Sequence, residues 1–401
     1  MSTPPGGSLR TLRRANQEHL LSLLLGQGPL HRAELARLAG VSRTTVSTIA
    51  GELIGLGLVA ETPAGAGSGL DGRAREVLSV VPGAGVAAGL DFTLETVYGH
   101  LTDLAGRPLA GAGVTVPASA HWRERLEAGL ALLDDLLAGA GAGRDGLIGV
   151  AVGVPGPISL ATGQVGPSLP GQAWAGINVA REVRSLLDVP LFVENNTRLE
   201  AVAEVTHGAG RGGPGDVFYF GLSSGIGTGL FFGGDLYRGD TGGAGELGHV
   251  SIDIDGPACP CGNRGCLVQY AGLPAVLAAL RPRFGAGVTI GAILTAAAEG
   301  DRACAGVIGD VGTLTGRVLA NVCNLLNPGL VIVGGELSRA GEVLLGPMRT
   351  ALRRYGMALT RDVRVVAAEL DLGARAGALG GAVLVLRETP GLAAALLERR
   401  S

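Results

Sequence analysis

At 401 residues the chain is long enough for two or three structural units, and a net charge of −3 gives no global basis for holding nucleic acid. Hydrophobic residues supply 47% of it and aromatics only 3%, so its cores must be built from Ala, Val, Leu and Ile. All 32 basic residues are Arg, which excludes a lysine as phosphate clamp, Schiff base or general base.

Charge is unevenly spread: residues 9–43 hold six Arg against two Glu, whereas the chain after residue 80 carries 24 Arg against 29 acids. Arg13-Arg14 ahead of Leu20–Leu25 resembles a signal peptide only faintly, because Glu18 and His19 interrupt it and no small-residue cleavage site follows. The uncharged stretch from Gly146 to Ala180 is long enough to span a bilayer, but Pro155, Pro157, Pro167 and Pro170 break any continuous helix there. A soluble cytoplasmic protein without a membrane partner is expected, and an odd count of five cysteines fits a reducing compartment.

The amino-terminal segment reads as a DNA-binding module. Gln17–Leu25 is an apolar-rich helix closed by Gly26-Gln27-Gly28-Pro29. A second helix is predicted from Arg32 to Ala39, with Leu35, Leu38 and Ala39 on its buried side. Gly40-Val41-Ser42 makes the turn, and the Ser42 hydroxyl is placed to cap a third helix from Arg43 to about Leu56. Val46, Ile49, Ala50 and Leu53 recur at i, i+3, i+4 and i+7 and give that helix one apolar face. The opposite face presents Thr44, Ser47, Thr48 and Gly51, with Arg43 near the start. Small hydroxyl residues and one Arg allow close approach to the major groove, which makes Arg43, Thr44, Ser47 and Thr48 candidate DNA contacts. A first wing strand is expected after Gly55, a Gly-rich tip over Thr62–Gly72, and a return strand from Arg73 to Val80. Arg73 and Arg75 beside that tip are candidates for phosphate or the minor groove. Plain helix packing is the competing reading, and the Gly/Arg hairpin and local positive charge weigh against it.

From Gly85 onward apolar runs alternate with amphipathic ones, which predicts α/β architecture. Val86–Asp91 and Thr96–Asp103 read as a hairpin and His121–Ala138 as a helix. Ile148–Val154, Leu191–Glu194, Asp216–Leu222 and Leu330–Val333 read as strands. Between the third and fourth of these lies the densest chemistry in the chain: His249, Cys259, Cys261 and Cys266. Four soft or borderline ligands within eighteen residues fit tetrahedral zinc, and Gly262 and Gly265 allow the turns that aim three thiolates at one point. A closed set of four leaves no position for a catalytic water, so one structural Zn2+ per chain is predicted. Buried free cysteines are the bland alternative, and they are the expectation for Cys304 and Cys323.

The run Gly245-Glu-Leu-Gly-His249 followed by Cys259-x-Cys-Gly-x-x-Gly-Cys266 resembles the zinc motif of the ROK family of repressors, uncharacterised reading frames and sugar kinases. That resemblance, which covers nearly all of residues 83–390, implies an α/β fold in which an N-terminal winged helix-turn-helix precedes a two-lobed actin-like ATPase (ribonuclease H-like) domain. The expected division is a head over 1–82 and a kinase-like domain over 83–401. Lobe 1 would cover about 83–196 plus a C-terminal helix at about 376–391, and lobe 2 about 197–375. Kinases of the family lack the head, so its presence points to the regulator branch; the wing run Asp71-Gly72-Arg73-Ala74 is close to the Gly-Gly-Arg-Pro common there.

The kinase parts are altered. Family kinases carry Asp-x-Gly-x-Thr at the first phosphate loop, where this chain has Asp91-Phe92-Thr93-Leu94-Glu95, so a side chain blocks backbone approach and a carboxylate faces the anion site. The second loop, Gly225-Ile226-Gly227-Thr228-Gly229, and Gly334-Gly335 are kept, although such glycines recur for packing alone. The catalytic Asp of the family becomes Asn196, an amide that accepts no proton at neutral pH, and Glu194 lies on the wrong side of its strand to replace it. Asn195, Glu246 and His249 match the family's sugar ligands, the imidazole serving zinc with one nitrogen and the sugar with the other. Ser168 and Gln269 replace more usual ligands, and Trp174 is a weaker pocket candidate than Glu246. The expected protein is a non-enzymatic, sugar-responsive repressor, a homodimer or homotetramer. Its partners would be double-stranded operator DNA and a sugar or sugar phosphate effector. The alternative is an ATP-dependent sugar kinase with an added DNA-binding domain.

Overall fold

The protein is described by a computed structural model covering residues 7–63, 76–166, 172–370 and 374–400. Three helices and a two-stranded wing come first: α1 (Gly7–Gln27), α2 (Arg32–Ala39), α3 (Arg43–Gly55), β1 (Val59–Pro63) and β2 (Glu76–Val80). The wing strands are antiparallel, and Leu30 bridges Leu78 to extend them. Ser42 caps α3 by accepting the Thr45 N–H at 3.0 Å, and Val46, Ile49, Ala50 and Leu53 are buried, as the periodicity predicts. The α2 expectation needs one correction: Ala36 is buried beside Leu35 while Leu38 is 36% exposed, because the short helix turns its 35/36 edge toward the core. The first helix is also ten residues longer at its start than the predicted Gln17. Arg14 donates to the Ala394 carbonyl there, so that extension is held by tertiary contact rather than by its own apolar pattern.

The rest forms two five-stranded sheets with the same internal order. In the first, β3 (Val86–Phe92), β4 (Thr96–Asp103) and β5 (Pro108–Thr115) run antiparallel, and β6 (Leu147–Val154) and β7 (Leu191–Asn195) add parallel to β3, giving 5-4-3-6-7. Helix α4 (Trp122–Gly139) covers one face, and α5 (Val179–Arg184) leads into β7. Helix α6 (Asn196–His207) then crosses to the second sheet. There β8 (Val217–Leu222), β9 (Ile226–Phe232) and β10 (Asp235–Tyr237) are antiparallel, and β11 (Leu330–Gly334) and β12 (Arg364–Ala367) add in parallel, giving 10-9-8-11-12.

Helices α7 (Val268–Ala271), α8 (Leu273–Phe284), α9 (Ile290–Ala298), α10 (Arg302–Leu326) and α11 (Glu342–Tyr355) build the second lobe's apolar layer. Asp301 caps α10 by accepting the Ala303 and Cys304 N–H groups, and Asn327 ends it in the left-handed region at φ 46°. Gly312 and Gly316 let α11 lie directly on α10, since a Cβ at either would stand 2.3 Å from the Leu344 or Met348 carbonyl. Cys304 and Cys323 are free and fully buried in this layer, as expected.

Helix α12 (Ala374–Glu388) returns to pack on α6, β3 and β6, at the position expected for the C-terminal helix. A further helix, α13 (Leu392–Arg400), follows a turn at Gly391 (φ 63°) and has no counterpart in the sequence reading. Its Leu392, Ala393, Leu396 and Leu397 share one hydrophobic core with Leu20, Leu21 and Leu24 of the head and Ala87, Ile148 and Val385 of the first lobe. The head is therefore built into the first lobe rather than tethered to it.

Candidate functional site

On the head, Arg43, Thr44, Ser47 and Thr48 all lie exposed on one face of α3, opposite its buried row. Neighbouring cations are already committed: Arg32 grips Glu61 of the wing through two 2.9 Å bonds, and Arg13 pairs with Glu52 of α3, which also accepts from Gln17. Arg43 has no ion pair among the described residues. The Thr48 hydroxyl donates to the Thr44 carbonyl at 3.1 Å. Arg73 and Arg75, at the wing tip, lie outside the described residues.

A cleft of about 1040 Å³ opens between the two sheets. Asn195, Glu246 and His249, the three sugar-ligand candidates, all line it. Asn195 does structural work at the same time: its Oδ1 caps α6 by accepting the Thr197 N–H at 2.9 Å, and its Nδ2 donates to the Gly156 carbonyl. Glu246 is different. It precedes a single helical turn (Leu247–His249) but makes no side-chain capping bond, so capping does not account for it. Burial raises its pKa, while Arg198 and His249 pull it back down. Thr228, donating to the Gly245 carbonyl, fixes the backbone just before it. Trp174 is only 1% exposed and packs edge-on against Phe92 at 5.0 Å, which places it in the first lobe's core rather than in the cleft. Ser168 lies outside the described residues.

At the base position, Asn196 donates its Nδ2 to Asp91 Oδ1 and to the Phe92 carbonyl at 3.2 Å. Asp91 is fully buried, its carboxyl held well above the carboxylate range by desolvation, then by Glu200. Glu194, 2% exposed, is bonded to Arg198 and Arg238 instead of facing the cleft. The turn after β3 is closed by Thr93, whose hydroxyl donates to the Thr96 carbonyl, and Arg125 donates to the Thr93 carbonyl from beneath. Glu95 stands exposed at the tip and lines the cleft. The retained glycines have packing reasons: a Cβ on Gly227 would meet Thr197 Oγ1 at 2.3 Å, and one on Gly334 would meet the Tyr219 hydroxyl at 1.9 Å. Sequence reading missed Glu200 and Glu336, which with Glu95 and Glu204 make the same cleft acidic. Glu200 is pushed up to about 7 by burial.

The four soft ligands converge. The ligand atoms of His249, Cys259, Cys261 and Cys266 all lie within 4.8 Å of one another, so the group could hold a metal ion. His249 Nδ1 is 3.5 Å from Cys259 Sγ, and Cys261 Sγ is 3.7 Å from Cys266 Sγ. Tetrahedral zinc with Zn–S of ~2.3 Å and Zn–N of ~2.0–2.1 Å requires about 3.6 and 3.8 Å between such pairs, so the residues fit the ion. Gly265 makes the turn possible, at φ 62° and with a Cβ position only 1.6 Å from the Asp253 carbonyl oxygen. Burial pushes the Cys266 thiol up to about 12; at Cys259 burial acts the same way but backbone and ring hydrogen bonds outweigh it, bringing that thiol to about 7. Gln269 does not enter the cleft; its amide donates toward Cys259 Sγ at 3.5 Å.

Comparison with known proteins agrees with this architecture. The ROK family model matches residues 91–388. The xylose repressor of Bacillus subtilis (strain 168) is 29% identical over 379 residues, covering 94% of this chain and 96% of that protein. A solved ROK family transcriptional regulator, described as a homologue of the E. coli MLC protein, superposes with a TM-score of 0.78 at 24% identity over 97% of this chain and 99% of its own; at that identity the likeness is one of fold. A ROK family glucokinase from Streptomyces griseus, in complex with glucose and AMPPNP, superposes with a TM-score of 0.62 at 30% identity, covering 75% of this chain and 99% of its own. Named repressors and named kinases thus both resemble it, and with three quarters of its length matched by the family model, the chain belongs to the ROK family.

Proposed function

We propose that the protein is a sugar-responsive transcriptional repressor without kinase activity, with a DNA-binding head over residues 1–82 and a kinase-like sensor over 83–401. Arg43, Thr44, Ser47, Thr48 and Arg73 contact operator DNA. Asn195, Glu246 and His249 bind a sugar or sugar derivative. His249, Cys259, Cys261 and Cys266 hold one structural zinc. A homodimer or homotetramer presents two recognition helices to a two-fold repeated site.

The observation that carries this reading is the head itself, which shares one core with the lobe that forms half of the cleft. A DNA-binding unit so embedded feels any change in that lobe. Catalysis is disfavoured on two counts. Asn196 is an amide engaged with Asp91, and loss of a general base costs ~10²–10⁴-fold in rate. Among the described residues lining the cleft, Glu95, Glu200, Glu204 and Glu336 outnumber one arginine, Arg339, where a nucleotide's phosphates would need cations or free backbone amides. Glu246, whose side chain has no hydrogen bond among the described residues, supplies an acceptor for a hydroxyl pair, and zinc, when bound through Nδ1, fixes the ring so that Nε2 of His249 is left to serve the ligand.

The test is ligand binding by calorimetry and thermal shift with D-xylose, D-glucose and their phosphates. A sugar at 100 times its Kd adds ~2.7 kcal/mol of stability. Glu246→Ala should abolish that shift while leaving zinc content and sugar-free operator affinity unchanged. A Glu246→Ala protein that responds as the wild type does would place sensing elsewhere.

A further inference from the structure

Four buried or half-buried charges connect the sugar side of the cleft to the head. Glu194, at the end of β7, accepts from Arg198 of α6 at 3.0 Å through one oxygen and from Arg238, just after β10, through the other. The remaining nitrogen of Arg198 donates to the Gly242 and Ala244 carbonyls at 2.6 and 2.7 Å, gripping the loop that carries Glu246 two residues later. Arg238 in turn donates to both oxygens of Glu388, the last residue of α12, at 3.0 and 2.9 Å. The quartet is neutral, two Arg against two Glu, and Arg198 and Glu194 are each only 3% exposed at the side chain.

Beyond Glu388 the chain turns at Gly391 into α13. That helix lies under the head: Ala394 O receives Arg14 of α1, while Arg399 donates to the Asp145 carbonyl of the first lobe. Bonded contacts therefore run from the Glu246 loop through Arg198, Glu194 and Arg238 to Glu388, and the chain itself continues from there through Gly391 to Ala394, which Arg14 of α1 holds. Buried ion pairs contribute little net stability, because desolvation offsets attraction, and in some proteins they serve instead to fix one geometry. A set bonded from the loop at one end to the helix at the other is suited to report a shift of the one as a shift of the other.

We infer that Arg198 is a positioning residue for the effector site, and that the Arg198–Glu194–Arg238–Glu388 quartet couples seating of a sugar on Glu246 to the setting of the head through α13. This rests on the proposed sugar-sensing role of the cleft. Spatial continuity alone does not establish coupling; a change in coupling free energy does.

The experiment uses the full-length, zinc-replete chain with D-xylose and D-glucose as probes. Calorimetry gives sugar affinity, and hydrogen exchange reports protection of α13 and α1 with and without sugar. In Glu388→Gln, an isosteric change at a partly exposed position, sugar Kd should stay within about two-fold of wild type. The sugar-dependent change in α13 and α1 protection should fall at least about five-fold. Arg198→Lys, whose single nitrogen cannot span the carboxylate and the two carbonyls that separate guanidinium nitrogens reach, should weaken sugar binding by about ten-fold or more with zinc content unchanged. A Glu388→Gln protein whose α13 and α1 respond to sugar as in the wild type overturns the coupling. Unchanged sugar affinity in Arg198→Lys overturns the positioning role. Failure of both sugars to bind the wild type removes the sensing role for these sugars, and this inference with it, an outcome distinct from the other two.

Discussion

Glu200→Gln tests the acidic character of the cleft directly. Glu200 sits on α6, its Oε2 accepting the Tyr219 hydroxyl at 2.9 Å. Burial raises its carboxyl from 4.5 to about 7; the Tyr219 bond opposes the rise, and Glu204 and Glu336 add to it. Below 4.5 the group is protonated in both folded and unfolded chains, and above 7 it is ionised in both. Between those values the folded protein holds a proton that the unfolded chain has released, so wild-type stability falls as pH rises through that window. At ~1.36 kcal/mol per pH unit, a rise from 4.5 to about 7 amounts to about 3 kcal/mol. Glutamine keeps the shape and has no charge to bury. Urea denaturation of both proteins at pH 5, 7 and 8.5 isolates the effect as a difference, since the other acids titrate alike in each. The variant should match the wild type near pH 5, where the folded carboxyl is neutral, and gain on it by up to about 3 kcal/mol by pH 8.5, less whatever the Tyr219 bond to the then charged acceptor contributes. Parallel stability curves across this range would refute the buried, proton-holding carboxyl.

Three further outcomes are expected. Protein purified without added metal should contain close to one zinc per chain, and Cys261→Ser should lose it and destabilise the second lobe, since site binding and folding are coupled; metal-free folded protein with three freely titrating thiols contradicts this. Arg43→Ala should weaken operator binding at all sequences and lower the salt slope by about 1, whereas changes at Thr44 or Thr48 should alter base preference by ~1–3 kcal/mol per contact; footprinting by a chain lacking residues 1–82 would show that the head is not the reader. A coupled assay over common hexoses with ATP should stay at background. Asn196→Asp should rescue little, because Glu95, Glu200 and Glu336 still line the cleft; wild-type turnover of ~1–10³ s⁻¹ would overturn catalytic silence.

Local pattern determined a good deal by itself. The four helix-turn-helix positions on α3 lie exposed because the apolar row Val46, Ile49, Ala50 and Leu53 has only one way to face a core at 100° per residue. The His249 and cysteine cluster converges because its ligands fall within eighteen residues, close enough for turns at Gly262 and Gly265 to set the geometry. Strand cores such as β6 and β8, apolar throughout, were equally legible, as buried parallel or central strands are.

Tertiary structure alone decided what depends on residues far apart. Helix α13 carries an ordinary Leu/Ala pattern, and only its contact with α1, some 380 positions away, makes it the floor of the head. Leu38 was misjudged for the same reason: side-chain type says that a residue prefers burial, but which neighbour covers it is settled by how whole elements pack. The acidity of the cleft is the clearest case. Glu95, Glu200 and Glu336 are unremarkable in sequence, and bringing them to one cleft from three separate segments is a property of the fold, as is the proton that the buried Glu200 then retains.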